Sequence, residues 1–524
     1  MESMKRYWKQ IGGLSGMIFV LYTVFVFVSH AFVIYSNDNR TLQFVGRAFC
    51  TTAVLAAILC PIVFDAVRKV NIPFADCINA KEEKKKLFLT VFLMAFFCFL
   101  AAYIVHYPGG FGTDSLVQYG QAVDNAYVDW HPYFHTLFAF KLPLMISGGW
   151  TGSIVLLQIL LFSAVIAYAV MTVAEYTNKT YAKLVFAFYM LNPSTITFAM
   201  LPQKDTSFAI ATLFLITCIL KMYFSHGEWL NKRTNGVVFA VVLAASTLFR
   251  HNAVLFTLPL LGVVFMCAGG KRSIRIAAVF LGMVFLFRVP VYHLLGVENP
   301  GNRKGELLGL PMNMIASVAA NNPEAMNEET QRFVYEIAER EAWAEVYKYG
   351  SYNYIKNDSR FDRSVIEEYE VIDVIGMAVQ CVVRSPKEAI SGAIRTMDPI
   401  YTLTDDYNGV MDIDVNDNAY GIRMSGSRML QKAFKAYAQI GSMVFAYAFH
   451  YAGAMMMVLL GVVLARCNLL NRKDLKKAAY ALPMLVYNFG TMLLMTHRGD
   501  ALRFFYYSFL IVPLYMVIYC RQEE

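Results

Sequence analysis

The chain has 524 residues, 57% of them hydrophobic and 16% charged, with a mean hydropathy of +0.45. No water-soluble fold of this size needs that balance, and apolar runs of ~20 residues, each long enough to cross the hydrocarbon core, recur along the chain. The net charge of +8 sits in short runs of Lys and Arg between apolar segments, not on one polar face, which argues against a nucleic-acid partner.

In chain order the pattern predicts an all-α integral membrane protein of about a dozen transmembrane helices. The spans fall at 14–35, 46–66, 87–106, 151–174, 183–199, 206–224, 236–249, 253–268, 275–296, 441–465, 478–495 and 503–520. The first is too long for a secretory signal and has no small-residue cleavage site, so it is expected to be retained. Placing both termini in the cytoplasm puts Lys84 to Lys86, Lys232 with Arg233, Lys271 with Arg272, and Lys476 with Lys477 inside, as the positive-inside rule requires. The pair 236–249 and 253–268 is short for two crossings and could be a hairpin turning at the outer surface around Arg250, His251 and Asn252. Of the nine cysteines, Cys381 alone falls in an outer region, so no disulfide framework is expected there.

Two outer regions are too long to be turns. In the loop 107–150, Ser115 to Tyr127 and Tyr133 to Met145 mix apolar and polar residues as surface-lying amphipathic helices do. Residues 297–440 hold most of the acidic residues and read as a small, mainly helical extracytoplasmic insertion. The expected organisation is a two-span addition at 1–86, a membrane core at 87–296, the insertion at 297–440 and C-terminal membrane helices at 441–524.

Ionisable groups at the outer ends of several spans are costly unless paired or functional. The first set is Tyr107 to Ser115, in which glycines permit a tight path and Asp114 or Ser115 could cap the helix that follows. Next comes Asp129-Trp130-His131-Pro132-Tyr133 with His135, where hydrogen bonding and loop ordering is a better reading than a zinc site, because no further ligand of obvious identity lies nearby. A third is Lys204-Asp205, where Asp205 could cap the sixth span. The fourth is cationic: Arg250 with His251, and Arg498 and Arg503 beside Asp500, a set suited either to clamping a phosphate or to pairing with Asp500 and lipid headgroups. The run Asp412 to Asp417 fails as a calcium loop, since Asp417 stands where Gly is required and Arg423 where Glu is required.

Taken together, Tyr-Pro-Gly-Gly and Thr-Asp-Ser at 107–115, Gln118, Gln121-Ala122, Asp-Trp-His-Pro at 129–132, Leu-Asn-Pro at 191–193, Lys204-Asp205 and Arg503-Phe-Phe-Tyr-Tyr ahead of Pro513 resemble the bacterial multi-span glycosyltransferases of the GT-C superfamily, which include relatives of protein mannosyltransferases and aminoarabinose transferases. The resemblance covers most of 87–290 and the C-terminal spans. It implies a GT-C-like core in the cell membrane, with an active site on the extracytoplasmic face. There a sugar would pass from a polyprenyl-phosphate-linked donor to a glycan, lipid or protein acceptor, with inversion. Membrane lipids would be the other partners. Asp114 matches the first-loop carboxylate that acts as general base or orients the acceptor, and Asp205 the second acidic position. Lys204, Arg250, His251, Arg498 and Arg503 are the candidates to hold the donor phosphate. Asp129, His131 and His135 would order the loop and the acceptor. Ser115 stands where protein mannosyltransferases carry the second residue of an Asp-Glu pair, so a divalent metal and a protein acceptor are both left open. A lipid-linked glycan transporter or flippase, and a glycan polymerase or ligase, are the alternatives.

Overall fold

The computed structural model describes residues 14–35, 64–301, 304–347, 351–401, 412–444, 452–495 and 501–522. Among these residues the backbone is helix and connecting turn, with three isolated bridges and no strand. Among the described residues six helices are long and apolar enough to cross a membrane: Lys81–Val105 (α1), Gly152–Tyr176 (α2), Lys204–Phe224 (α3), His251–Ala268 (α4), Gly270–Leu294 (α5) and Leu502–Cys520 (α6). The protein is therefore a multi-pass membrane protein. Shorter apolar helices lie at Ser15–Val26, Tyr133–Ile146, Arg233–Phe249 and Ala452–Arg466. The expected span at 46–66 lies almost wholly outside the described residues.

Burial ranks the helices. In the most apolar stretch, 72% of α3 is enclosed by protein but only 11% of α5, so α3 is central and α5 faces outward. The central helix packs on α2, on α6 and on Arg233–Phe249. Its two ends are chemically opposite. Lys204 and Asp205 open it, whereas Met222, Tyr223 and Phe224 close it at the end where Lys84, Lys221 and Glu175 meet.

The segment expected as one span at 183–199 is two helices, Lys179–Leu191 and Pro193–Met200. Asn192 ends the first in an extended conformation and its side chain accepts from Ser194 N, while Pro193 fits the first position of the second because it has no N–H to leave unpaired. Arg233–Phe249 and α4 meet at Arg250, so that pair does turn at the end of the bundle that carries Lys204.

The two helices of the first long loop run from Thr113 to Asp124 and from Tyr133 to Ile146, the second with a π-helical stretch at Thr136–Lys141. They are not polar-out surface helices: Ser115, Gln118 and Gln121 are buried while Val117 and Val123 are exposed. Buried polar groups demand partners, and this inversion brings the loop into the site.

Within 297–440, helices from Gly309 to Arg384 enclose their own apolar core around Met312, Phe333, Trp343 and Met377. The helix Pro386–Tyr401 packs on Gly309–Asn321 and also on Leu14–Tyr35 and Ala452–Arg466. Residues 412–427 return to the first loop, where Asn416 N donates to Phe111 O and Ser425 N to Tyr107 O, at 3.0 and 2.9 Å.

Candidate functional site

The approach to Asp114 is shaped by glycine. Gly109 has φ +114°, and a Cβ there would lie 2.5 Å from Val155 and 3.0 Å from Met200 O, so only glycine lets the chain pass. Gly110 N donates to Met200 O, tying this loop to the turn before α3. Gln158 on α2 holds that turn, its Nε2 lying 3.0–3.1 Å from the carbonyls of Phe198, Ala199 and Leu201. Thr206 Oγ1 donates to Leu201 O at 3.0 Å. Lys204 and Asp205 thus project from a stapled turn beside the start of the helix that carries Asp114.

Neither aspartate caps its helix. The N-cap positions are Gly112 and Gln203, and neither makes a side-chain cap bond. Ser115 Oγ donates to Pro202 O instead. The Asp114 carboxylate lies 3.2 Å from Arg503 Nη1, 3.7 Å from Lys204 Nζ and 3.9 Å from His131 Nε2. Asp205 is buried and pairs with Arg250, and its second oxygen is 3.3 Å from Arg503 Nε. Arg503 therefore bridges the two carboxylates through different nitrogens. Phe504 carries both guanidinium groups, Arg250 at 4.8 Å and Arg503 at 5.2 Å from its ring centroid, so the cations are held against an aromatic face.

Burial works against ionisation of Asp114, but Lys204 and Arg503 outweigh it and hold the carboxyl well below the usual carboxylate range. Burial, reinforced by Lys204, pushes the His131 imidazole down to about 3. His131 is then neutral near pH 7. Lys204 Nζ donates to its Nδ1 at 3.1 Å, which puts the ring proton on Nε2, facing Asp114.

Asp129, His131 and His135 take separate partners. His135 sits between Gln118, which donates to its Nδ1 at 3.0 Å, and Ser207 Oγ, 3.0 Å from its Nε2. Asp129 accepts from Arg288 Nη1 at 3.2 Å, and its carbonyl lies 3.2 Å from His251 Nε2. No group of three or more His, Cys, Asp or Glu among the described residues is placed to hold a metal ion. Of the proposed phosphate ligands, Lys204 and Arg503 meet at Asp114, Arg250 stands behind them on Asp205, and His251 lies one step away beside Asp129. Arg498 falls outside the described residues.

Sequence reasoning missed Arg288. It lies in the π-helical turn Phe287–Val291 next to Pro290, and its Nη2 is 3.4 Å from His251 Nδ1. The visible signal was a single arginine and a proline near the outer end of an apolar run. Arg288 links Asp129 and His251, extending the row of polar contacts that runs from Asp205 through Asp114 to the neutral His131.

Residues 126–365 match a family described as a family of unknown function, DUF6020. No curated protein matches the chain. Two crystal structures of ArnT from Cupriavidus metallidurans are similar to it. The one bound to undecaprenyl phosphate shares 14% identity over 80% of this chain and 78% of its own, with a TM-score of 0.32. The one in the apo state shares 14% identity over 84% of this chain and 78% of its own, with a TM-score of 0.33.

Proposed function

We propose that the protein is a membrane glycosyltransferase that takes a sugar from a polyprenyl-phosphate-linked donor and passes it, with inversion, to an acceptor on the face of the membrane away from the cytoplasm. The observation that carries this reading is the meeting of Asp114 with Lys204 and Arg503 at one end of the bundle, in an order of motifs that resembles the GT-C enzymes. Four cations gather there, Lys204, Arg250, Arg288 and Arg503, each beside one of the carboxylates Asp114, Asp129 and Asp205. Cations that charge-assisted hydrogen bonds can turn toward a phosphate are what such a donor needs.

The same ion pairs suggest how the carboxylate is switched on. With Lys204 and Arg503 leaning on it, Asp114 holds a proton poorly. A donor phosphate that draws those cations away would raise its basicity at the moment an acceptor hydroxyl arrives. Asp114 would then take the hydroxyl proton as the oxygen attacks the anomeric carbon from the side opposite the phosphate, and a single displacement inverts that carbon. Arg503 and Lys204 would stabilise the departing lipid phosphate as its charge develops. Asp205 and Arg250 would set the height of Arg503, and His131, His135 and Asp129 would fix the loop over the acceptor. In this reading residues 87–296 form the catalytic core, 441–524 close it through Arg503, and the 297–440 insertion covers the first loop.

The test is transfer of radiolabelled sugar from a panel of polyprenyl-phosphate donors by the purified protein in lipid. Wild type should transfer, while Asp114→Asn and Arg503→Ala should not. Wild-type levels of transfer by Asp114→Asn would overturn the reading, and movement of a lipid-linked glycan across vesicles without any transfer would replace it with a transporter.

A further inference from the structure

Asp114 stands in the first turn of the helix Thr113–Asp124, and the N-cap, Gly112, has no side chain to close that turn. Other contacts must fix where this helix starts and which way it is turned. Residues 412–427 lie along it. Asn416 N donates to Phe111 O and Asn416 Nδ2 to Thr113 Oγ1, both at 3.0 Å, on either side of Gly112. Further along, the Tyr420 ring meets that of Tyr119 edge-on with 5.3 Å between centroids. The Tyr420 hydroxyl fills the notch left by Gly120, where any Cβ would collide with it. We propose that residues 412–427 form a clasp that sets the rotation of this helix and so aims Asp114, with Asn416 and Tyr420 as positioning residues for sugar transfer. The aim matters to the reaction only on the reading of Asp114 given above.

Thr113 and Gly120 are separated by nearly two helical turns, so the clasp touches one face of the helix at both places. The opposite side is fixed to the bundle. Ser115 Oγ donates to Pro202 O at 3.1 Å, and Gln118 Nε2 donates to His135 Nδ1 and Thr136 Oγ1, each at 3.0 Å. At about 100° per residue, Asp114 falls between these two faces. A helix held on the bundle side alone can roll about that contact and carry the carboxylate toward or away from Lys204 and Arg503. A second line of contact removes the roll.

The clasp is itself braced. Asn418 Oδ1 accepts from Tyr420 N and Ile422 N at 3.1 Å, and its Nδ2 donates to Asn416 O and Ile422 O at 2.9 Å, so one amide ties the segment together across its turn. Gly421, with φ +69°, reverses the chain there. On the way back Ser425 N donates to Tyr107 O at 2.9 Å, and Gly426 lies where a Cβ would strike Val105 O. Ile413 and Ile422 are buried. The acidic run that fails as a calcium loop therefore has another use, and the asparagines between its aspartates carry it.

The experiment joins steady-state sugar transfer to amide hydrogen exchange, both on the full-length protein in lipid. Asn416→Ala and Thr113→Val remove the same hydrogen bond from its two sides. Each should lower kcat by about tenfold to a hundredfold, the scale set by a misplacement of about 1 Å. The donor KM should stay near wild type, because Lys204 and Arg503 stand on other elements. Thr113→Ser, which keeps the accepting hydroxyl, should restore what Thr113→Val loses. In the residual transfer of Asp114→Asn, adding Asn416→Ala should change nothing further, since it acts through that carboxylate. Without any substrate, the amides of 114–120 should exchange faster in Asn416→Ala and in Tyr420→Ala than in wild type. An unchanged kcat in both Asn416→Ala and Thr113→Val, or an equal fall with and without Asp114, would overturn the aiming of the carboxylate. Unchanged exchange in both clasp variants would overturn the clasp. A wild type that transfers no sugar would sink the reading of the site by itself, and the exchange would still decide the clasp.

Discussion

Two carboxylates sit between cations at opposite ends of this bundle, and they are built differently. Glu175 accepts from Lys84 at 2.7 Å through one oxygen and from Lys221 at 2.6 Å through the other, and Lys221 also lies over the rings of Tyr168 and Tyr176. Each of its oxygens has a short partner. Asp114 has its cations at 3.2 and 3.7 Å, and 34% of its side chain remains exposed against 16% for Glu175. Ion pairing as such therefore does not mark a site. A closed pair ties α1, α2 and α3 together, whereas an open one leaves its cations room to trade a carboxylate for a phosphate.

The largest effects should separate the two carboxylates. Asp114→Asn is expected to reduce sugar transfer by about a thousandfold, within the range for losing a general base, while losing less stability than Glu175→Gln, since a third of its side chain is exposed. Glu175→Gln should do the reverse. Removing one partner from a largely buried pair costs about 3–5 kcal/mol, so its melting temperature should fall while transfer per folded molecule stays near wild type. Transfer assays on each variant, normalised to the folded fraction from a melting curve, decide it. If Glu175→Gln abolishes transfer without loss of stability, the distinction between open and closed pairs is wrong.

Arg503 sharpens the comparison, because among the described residues it alone touches both aspartates. Arg503→Lys keeps the charge but supplies a point donor where Nη1 now reaches Asp114 and Nε reaches Asp205. Loss of one charged hydrogen bond predicts a decline of about 10–100-fold in transfer, with the donor KM rising if the phosphate is what Arg503 holds. An unchanged KM with a reduced kcat would put Arg503 on the carboxylates alone.

Much of the cluster was legible because the residues that meet come from short motifs with a costly chemistry for their position. Asp114, Lys204-Asp205 and Arg503 are charged groups at the ends of apolar runs, and such groups need partners wherever they sit. The break at Asn192-Pro193 was missed, because the apolar run continues through it and 183–199 reads as one span. Other parts were hidden by distance along the chain. The bridge between Phe111 and Val415 joins segments some 300 residues apart through backbone groups, which carry no mark in the sequence. The inward face of Thr113–Asp124 was misjudged because Ser115, Gln118 and Gln121 look like a solvent face until Pro202 meets the first, Thr136 and His135 the second and the Val128 carbonyl the third. Arg288 escaped because one arginine in an apolar run looks the same whether it meets lipid headgroups or Asp129.

The smallest predicted effect tests the electrostatics around Asp114 from the histidine side. His131 is pushed down to about 3 in the folded protein, and an exposed histidine titrates near 6.5. The unfolded chain therefore binds the extra proton first as pH falls. The stability this histidine contributes is complete above about 6.5 and is lost progressively between there and the folded value. Between pH 7 and pH 5 the loss should be about 2 kcal/mol by linkage. His131→Gln removes the titrating group, so the variant should lose less stability than wild type over that interval when both are melted at the two pH values. Asp114 adds nothing to this difference, because its carboxyl stays ionised throughout the range. A His131→Gln variant that loses more stability than wild type over that interval would mean that the imidazole is protonated beside Asp114 in the folded protein. The pair would then be a third ion pair and not a neutral ring held by Lys204.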